Sequence, residues 1–176
     1  MSFLADLARG HQIHEGYIRP GITGYPRGSL SYRNQNPGNL RYVNTQKVFG
    51  GAPGEGGFAR FPSYEAGFQA LMADIRAKLT GKSAHINYAK NPRFLDYVRV
   101  YAPEADGNAP DRYCAALCKA LAAYGVTPQT PLSDLARIIE REDFDPAMAR
   151  QRAQRMAERS PEPRKGRIMR RITSQS

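Results

Sequence analysis

The residue best suited to acid–base chemistry in this sequence is Glu15, which stands where the first helical pattern ends. A carboxyl group at the end of a helix can rest its apolar side against a core while its tip lies in a cleft. Desolvation there favours the protonated form, which is the form that a general acid needs in order to cleave a glycosidic bond. The alternative is an ordinary surface glutamate near a helix end, where the helix dipole disfavours a carboxylate.

A turn rich in side-chain amides, residues 34–39, follows Glu15 with the sequence Asn-Gln-Asn-Pro-Gly-Asn. Each amide both donates and accepts hydrogen bonds, so Asn36 and Asn39 are suited to sugar hydroxyls and N-acetyl groups. The same asparagines could instead bond their own backbone and form a purely structural turn. Aromatic faces on which a sugar could stack are offered by five tyrosines: Tyr17, Tyr25, Tyr32, Tyr42 and Tyr101.

Three motifs occur in order along the chain: His14-Glu15-Gly16-Tyr17, then Ser31-Tyr32-Arg33-Asn34-Gln35-Asn36-Pro37-Gly38-Asn39-Leu40-Arg41, then Phe58-Ala59-Arg60-Phe61-Pro62-Ser63 with Gly67. In combination they resemble a family of phage proteins, the lysozyme-like, peptidoglycan-degrading domains of virion-associated proteins. A later motif is similar to the second half of that family: Tyr101-Ala102-Pro103 with Asn108 and Tyr113. The resemblance covers about residues 3–125.

The resemblance implies a mainly α (α+β) fold, a lysozyme-like helical domain related to goose-type lysozymes and soluble lytic transglycosylases. It also implies cleavage of the β-1,4 linkage between N-acetylmuramic acid and N-acetylglucosamine, with Glu15 as the catalytic acid. The turn from Asn36 to Asn39 is then expected to line the cleft, and Tyr32 and Tyr101 to contact the substrate. Gln35 stands where the family commonly has Asn, a departure that keeps the amide.

No second carboxylate occupies an obvious position for a nucleophile or base, because Glu55 lies in a glycine-rich tract and Glu65 on the following helix. A single essential acid suits a lytic transglycosylase, in which the sugar's own N-acetyl or 6-hydroxyl group assists, but it leaves hydrolysis open. No cofactor is expected. Cys114 and Cys118 are interpreted as buried apolar side chains, since a metal site would need more ligands than the nearby sequence offers.

The elements that must position these residues are mostly amphipathic helices. Ser2 is a candidate N-cap for a first helix that ends near Glu15. Residues 16–31 hold many Gly and Pro residues and predict a loop that passes over a cleft. Further helices are predicted after Ser63 as far as Gly81, from Phe94 to Tyr101, from Pro110 to Tyr124 with Gly125 as C-cap, and after Thr130-Pro131.

Two short alternating segments, residues 40–43 and 58–61, predict a small β-hairpin between the first helices. The glycine tract, residues 50–57, lies between the two segments and is expected to form a mobile tip. This tract lacks the Lys-Ser/Thr ending and the strand–helix context of a phosphate loop, so it does not predict nucleotide binding.

The length of 176 residues supports one domain with a small appendage. We expect the domain over residues 1–144. Residues 145–176 carry nine Lys/Arg against three Asp/Glu and few large apolar residues, which predicts a polar helix and then an extended basic tail. The tail could be a solvated aid to solubility, a docking arm for a neighbouring subunit, or a contact for DNA.

The formal net charge of +10 implies an anionic partner such as nucleic acid, a membrane surface or an acidic cell-wall polymer. No secretory signal is visible, and no apolar run approaches the ~18 residues of a membrane span. We therefore expect no membrane insertion, and synthesis in a cytoplasm with any exported role requiring another delivery route.

With the resemblance, these features predict a phage enzyme that cleaves peptidoglycan and is carried in the virion, with residues 145–176 contacting other tail or capsid proteins. One alternative is an inactive structural virion protein that keeps the same fold. A nucleic-acid-binding protein is less in keeping with the sequence, because the basic residues cluster in a tail and not on a recognisable reading helix.

Overall fold

A computed structural model describes residues 2–144, of which residues 2–142 belong to one compact unit. The fold is mainly helical with one small antiparallel sheet, so the expected fold class is confirmed at that level. The predictions made for residues 145–176, the polar helix and the basic tail, lie outside the described residues.

Six α-helices form the frame: α1 (Phe3–His14), α2 (Leu30–Arg33), α3 (Tyr64–Leu79), α4 (Phe94–Tyr101), α5 (Pro110–Ala120) and α6 (Leu132–Phe144). Two short strands, β1 (Ala52–Pro53) and β2 (Ala59–Arg60), pair antiparallel. Short 3-10 helices lie between these elements at Asn44–Phe49, Glu55–Gly57, Tyr88–Lys90, Glu104–Asp106 and Ala122–Tyr124.

The predicted helix starts are confirmed, and three of them have a visible cause. The side chains of Ser2 and Ser63 accept hydrogen bonds from the backbone N–H groups of Ala5 and Ala66, which satisfies donors that a helix start would otherwise leave unpaired. Pro110 occupies the first turn of α5, where its missing N–H costs nothing. Helix α5 is shorter than predicted, because it gives way to a 3-10 turn before Gly125.

The core is formed where α1 packs on α3 and α5, and α5 on α4. Burial of its apolar side chains is the main favourable term in folding. The largest fully buried side chains are Phe3, Leu7, Leu71, Ile75, Leu79, Phe94, Tyr97, Tyr113, Leu117, Leu121, Leu132 and Leu135. Cys114 and Cys118 are free thiols, the first buried and the second partly buried, as the sequence predicted for apolar side chains.

The predicted β-hairpin is only partly correct. Residues 40–42 do face residues 57–59, through an isolated bridge between Arg41 and Phe58 and a hydrogen bond from Ala59 N to Leu40 O. The regular sheet, however, pairs β2 with β1, which lies inside the glycine tract. The chain between Val43 and Gly50 forms a 3-10 helix and not a strand continuation.

A close approach of α3 fixes the position of the amide turn, residues 34–39. The Cβ that an alanine would add at Gly67 would lie 2.0 Å from the carbonyl oxygen of Gln35. At Gly38 an added Cβ would lie 2.5 Å from Leu71 Cδ1 and 2.9 Å from the Tyr101 hydroxyl. Glycine is therefore required at both positions for the turn to lie directly against α3 and α4.

Candidate active site

Glu15 is the C-cap residue of α1, and its partly buried carboxylate is held at both oxygens. The Tyr113 hydroxyl on α5 donates to Oε1 over 3.0 Å. The Asn39 side chain donates from Nδ2 to Oε2 over 3.0 Å. The partners come from positions 98 and 24 residues away, so the fold brings them to Glu15. The arrangement fixes the carboxyl group in one orientation.

Asn39 reaches Glu15 because the amide turn is itself rigid. The buried side chain of Asn36 accepts from Leu40 N and donates to the carbonyl oxygens of Leu40 and Ala59, at 2.8–3.0 Å. Asn39 adopts a left-handed φ of +47°, which Asn tolerates better than most residues. Asn36 thus holds the turn, and Asn39 presents its amide to the carboxylate.

His11 lies beneath Glu15 in a group of aromatic side chains. It is fully buried, with Nδ1 2.6 Å from the Tyr113 hydroxyl and Nε2 2.5 Å from the Tyr97 hydroxyl. Its ring also packs on Tyr101, with centroids 4.0 Å apart. Burial, then the charges of Lys78 and His14, lower the pKa of His11 well below its usual value, so the ring is neutral.

Burial also raises the pKa values of the tyrosines around His11 well above the ordinary range. For Tyr101 and Tyr113 the negative charge of Glu15 adds to that shift. These phenols stay protonated and act as hydrogen-bond donors. On the solvent side, the ring of His14 stacks on Tyr113 with centroids 3.6 Å apart, which further restricts that ring.

Glu15 and Asn39 lie at the edge of a cleft of about 1050 Å³. One wall is α3, whose alanines Ala70, Ala73 and Ala77 leave the space open. The rest of the cleft is lined by residues 38–41, by Val48 and Phe49 of the 3-10 helix Asn44–Phe49, and by residues 100–103. The volume is that of a site for a sizeable ligand.

Two more carboxylates line the same cleft, those of Asp74 and Asp106, and sequence reasoning missed both. Asp74 on α3 forms an ion pair with Lys78, one helical turn on, and both side chains are mostly buried. Lys78 Nζ lies 5.6 Å from the centre of the Tyr101 ring. The i,i+4 spacing was visible in the sequence, but nothing there placed this face of α3 opposite Glu15.

The predicted site residues divide into two groups. Glu15, Asn39 and Tyr101 line the cleft, and the Tyr101 hydroxyl donates to Gly38 O over 2.8 Å. Asn36 is fully buried, and its side chain hydrogen-bonds the backbone. This is the arrangement expected of an asparagine that stabilises the turn, the alternative to contacting a sugar. Tyr32 is not among the cleft-lining residues and packs instead on Tyr17, with centroids 5.3 Å apart.

The glycine tract, for which a mobile tip was predicted, is hydrogen-bonded at Glu55 to Arg33 and Asn34. Arg33 donates to both carboxylate oxygens of Glu55, at 2.7–3.4 Å. The Asn34 side chain donates to Glu55 O and accepts from Glu55 N, both over 3.1 Å. None of the cleft-lining residues belongs to loop 16–28, so that loop does not cover this cleft.

Neither a metal site nor a membrane-spanning helix is found within residues 2–144. No cluster of three or more His, Cys, Asp or Glu side chains there could hold a metal ion. None of the helices in that part of the chain has the length and apolar character needed to cross a membrane.

Comparisons with known proteins identify no relative. No protein-family model matches the chain, and no curated protein or solved structure is significantly similar to it.

Proposed function

We propose that this protein is a peptidoglycan-cleaving enzyme with a lysozyme-like fold, in which Glu15 is the general acid that protonates the leaving oxygen of the MurNAc–GlcNAc bond. The observation that carries the proposal is the fixed carboxyl group at the edge of the cleft, held by Tyr113 and Asn39. Aiming one carboxyl group at a bound ligand is what general acid catalysis requires. The mainly helical fold is compatible with this assignment.

The hydrogen bonds to Glu15 are compatible with a carboxyl group that gains and loses a proton. Each carboxylate oxygen has two acceptor positions, so one donor on each oxygen leaves room for the proton. Asn39 Oδ1 is buried and has no partner among residues 2–144. If that amide turned by 180°, Oδ1 would accept a hydrogen bond from a protonated Glu15. The Nδ2 group would then be left unpaired in place of Oδ1.

The walls of the cleft also suit a polymer of amino sugars with acidic peptides. Asn39, Asn108 and Ser83 can pair with hydroxyl and N-acetyl groups. Lys82 is exposed in the same space and would attract the carboxylates of the peptide stems. The net charge of +10 acts in the same direction over longer distances.

The reaction type, hydrolysis or lytic transglycosylation, depends on what happens to the sugar after protonation. Asp74 and Asp106 supply carboxylates in the cleft, and each forms an ion pair, Asp74 with Lys78 and Asp106 with Arg41. Transglycosylation needs no second carboxylate, because the sugar's own group completes the reaction, whereas an inverting hydrolase needs one as a base. Mass spectrometry of the products separates the two, since 1,6-anhydro ends mark a transglycosylase and reducing ends a hydrolase.

We further propose that the enzyme is carried in a phage virion, in the tail or capsid, and acts on the cell wall during entry. The support for this part is the family resemblance together with the basic residues 145–176, which would bind other virion proteins. The same features would suit an inactive structural virion protein, which is the alternative.

The test is clearing of purified cell wall in a gel by wild type, Glu15→Gln and Glu140→Gln. Glu140 is an exposed residue of α6 and serves as the matched control. We expect wild type and Glu140→Gln to clear the wall and Glu15→Gln to lose clearing. Equal clearing by Glu15→Gln would remove Glu15 from the mechanism, and no clearing by wild type would favour the structural alternative.

A further inference from the structure

A continuous line of buried hydrogen bonds leads from α4 to the carboxylate of Glu15. The Tyr97 hydroxyl contacts His11 Nε2 over 2.5 Å, His11 Nδ1 contacts the Tyr113 hydroxyl over 2.6 Å, and that hydroxyl donates to Glu15 Oε1 over 3.0 Å. Tyr97 and His11 have no exposed surface, and neither lines the cleft. We call these four residues the relay.

The direction of the hydrogen bonds in the relay follows from proton counting. Within residues 2–144 the Tyr97 hydroxyl has one hydrogen-bond partner, His11 Nε2. If Tyr97 accepted, its own hydrogen would be left unpaired in the core, so it donates. A neutral imidazole that accepts at Nε2 carries its proton on Nδ1. That proton points at the Tyr113 oxygen, whose single hydrogen is then directed to Glu15.

We propose that His11 is a positioning residue: held by Tyr97 in the Nδ1–H tautomer, it makes Tyr113 a permanent donor to Glu15 Oε1. The burial of His11 among uncharged rings supports a neutral imidazole. The titratable groups around it are Tyr97 and Tyr101 on α4, Tyr113 on α5, Lys78 on α3 and His14 on its own helix.

The consequence for catalysis rests on the proposed function. A hydroxyl that donates to a carboxylate forms a stronger hydrogen bond than one that donates to a neutral carboxylic acid. The relay therefore stabilises Glu15 increasingly as its proton leaves for the substrate, and such differential stabilisation lowers the barrier to that step. Tyr97, which touches no substrate, would then influence the rate through two intervening side chains.

The test has one arm that does not depend on activity. The two ring nitrogens of His11 are followed by ¹⁵N NMR between pH 5 and 8 in wild type, Tyr97→Phe, Glu15→Gln and Tyr124→Phe. Tyr124 donates to Asp6 over 2.7 Å and is the matched tyrosine control. We expect wild type and Tyr124→Phe to show the Nδ1–H tautomer, and Tyr97→Phe to shift toward Nε2–H.

Glu15→Gln supplies a second variant at the other end of the relay, and it is expected to change the His11 shifts although it leaves the core unaltered. An Nε2–H or charged His11 in wild type would overturn the proposal. So would unchanged shifts in both Tyr97→Phe and Glu15→Gln.

The second arm measures cell-wall cleavage. Tyr97→Phe is expected to lower kcat by about 3- to 10-fold, the effect of one hydrogen bond, with KM unchanged, and Tyr124→Phe to leave both constants unchanged. A change in KM alone would contradict a positioning role. If the NMR results hold and no variant cleaves cell wall, the relay stands and the proposed function fails.

Discussion

Replacing Gly67 with alanine tests whether the position of the amide turn depends on its contact with α3. The new Cβ would lie 2.0 Å from the backbone oxygen of Gln35, so the two must separate by about 1.4 Å to reach ordinary contact. That oxygen cannot move freely, since Gln35 has a left-handed φ of +51° and the next residue, Asn36, is held by side-chain hydrogen bonds to the backbone of Leu40. Overpacking of this kind costs about 1–3 kcal/mol.

The gain in helix propensity on replacing glycine with alanine, about 1 kcal/mol, offsets part of that cost. Because the clash is with a backbone atom, we expect a cost in the upper half of that range, hence a net loss of about 1–2 kcal/mol and a fall in Tm of about 3–8 °C. Gly10→Ala is the matched control within α1. Its new Cβ would lie 2.9 Å from Leu117 Cδ2, the end of a flexible side chain that can turn aside.

The assay is thermal unfolding of both variants beside wild type, followed by cell-wall clearing. Because the displaced turn carries Asn39, Gly67→Ala should also lose clearing at temperatures where it is still folded. If Gly67→Ala proves as stable as Gly10→Ala, the turn is not held by close contact with α3, and Asn39 does not depend on that contact for its position.

Three further predictions concern pH, the glycine tract and the tail. The pKa of His11 in the folded protein is lowered well below 6.5. As the pH falls below about 6.5, His11 therefore binds a proton in the unfolded chain but not in the folded protein. The free energy of unfolding should therefore drop between pH 7 and 5, by at most about 1.4 kcal/mol per unit. Denaturant titrations should show this slope flattened in His11→Gln and kept in His85→Gln. Glu55→Ala removes the acceptor of Arg33 and should speed proteolytic cleavage within residues 50–57, whereas equal rates would mean that the backbone bonds suffice. Deleting residues 145–176 should abolish incorporation into phage particles, and unchanged incorporation would exclude an anchoring role.

The helices were predictable because their signals are local. Ser2, Ser63 and Pro110 mark starts through their own side chains, and the apolar stripes that follow need no knowledge of distant residues. The short helix α2 and the pairing of β1 with β2 were not predictable in the same way. Glycine tolerates many backbone conformations, so the local sequence does not fix where a strand lies within residues 50–57, and the pairing depends on its partners in β2.

The candidate site was only half predictable for a related reason. Glu15 and Asn39 belong to one stretch of sequence, and their chemistry suggested a pairing that the structure contains. Tyr113 lies 98 residues from Glu15 and reads as an ordinary core tyrosine. His11 carried a usable signal, since a spacing of four residues places it on the same helix face as Glu15. Its partner tyrosines, however, come from α4 and α5, whose packing the sequence does not specify.

The alanines of α3 that border the cleft have a consequence for how this molecule can change. Ala73 and Ala77 are partly exposed and belong to no buried contact of the core, whereas Leu71, Ile75 and Leu79 hold α3 in place from its other side. The cleft is thus wide because the side chains at these positions are small. They lie on a face of α3 that contributes little to the stability of the fold. Longer side chains at these two positions would narrow the cleft or reshape its floor with little loss of stability. The shape of the cleft can therefore be tuned, by evolution or by design, separately from the carboxyl group of Glu15 at its edge.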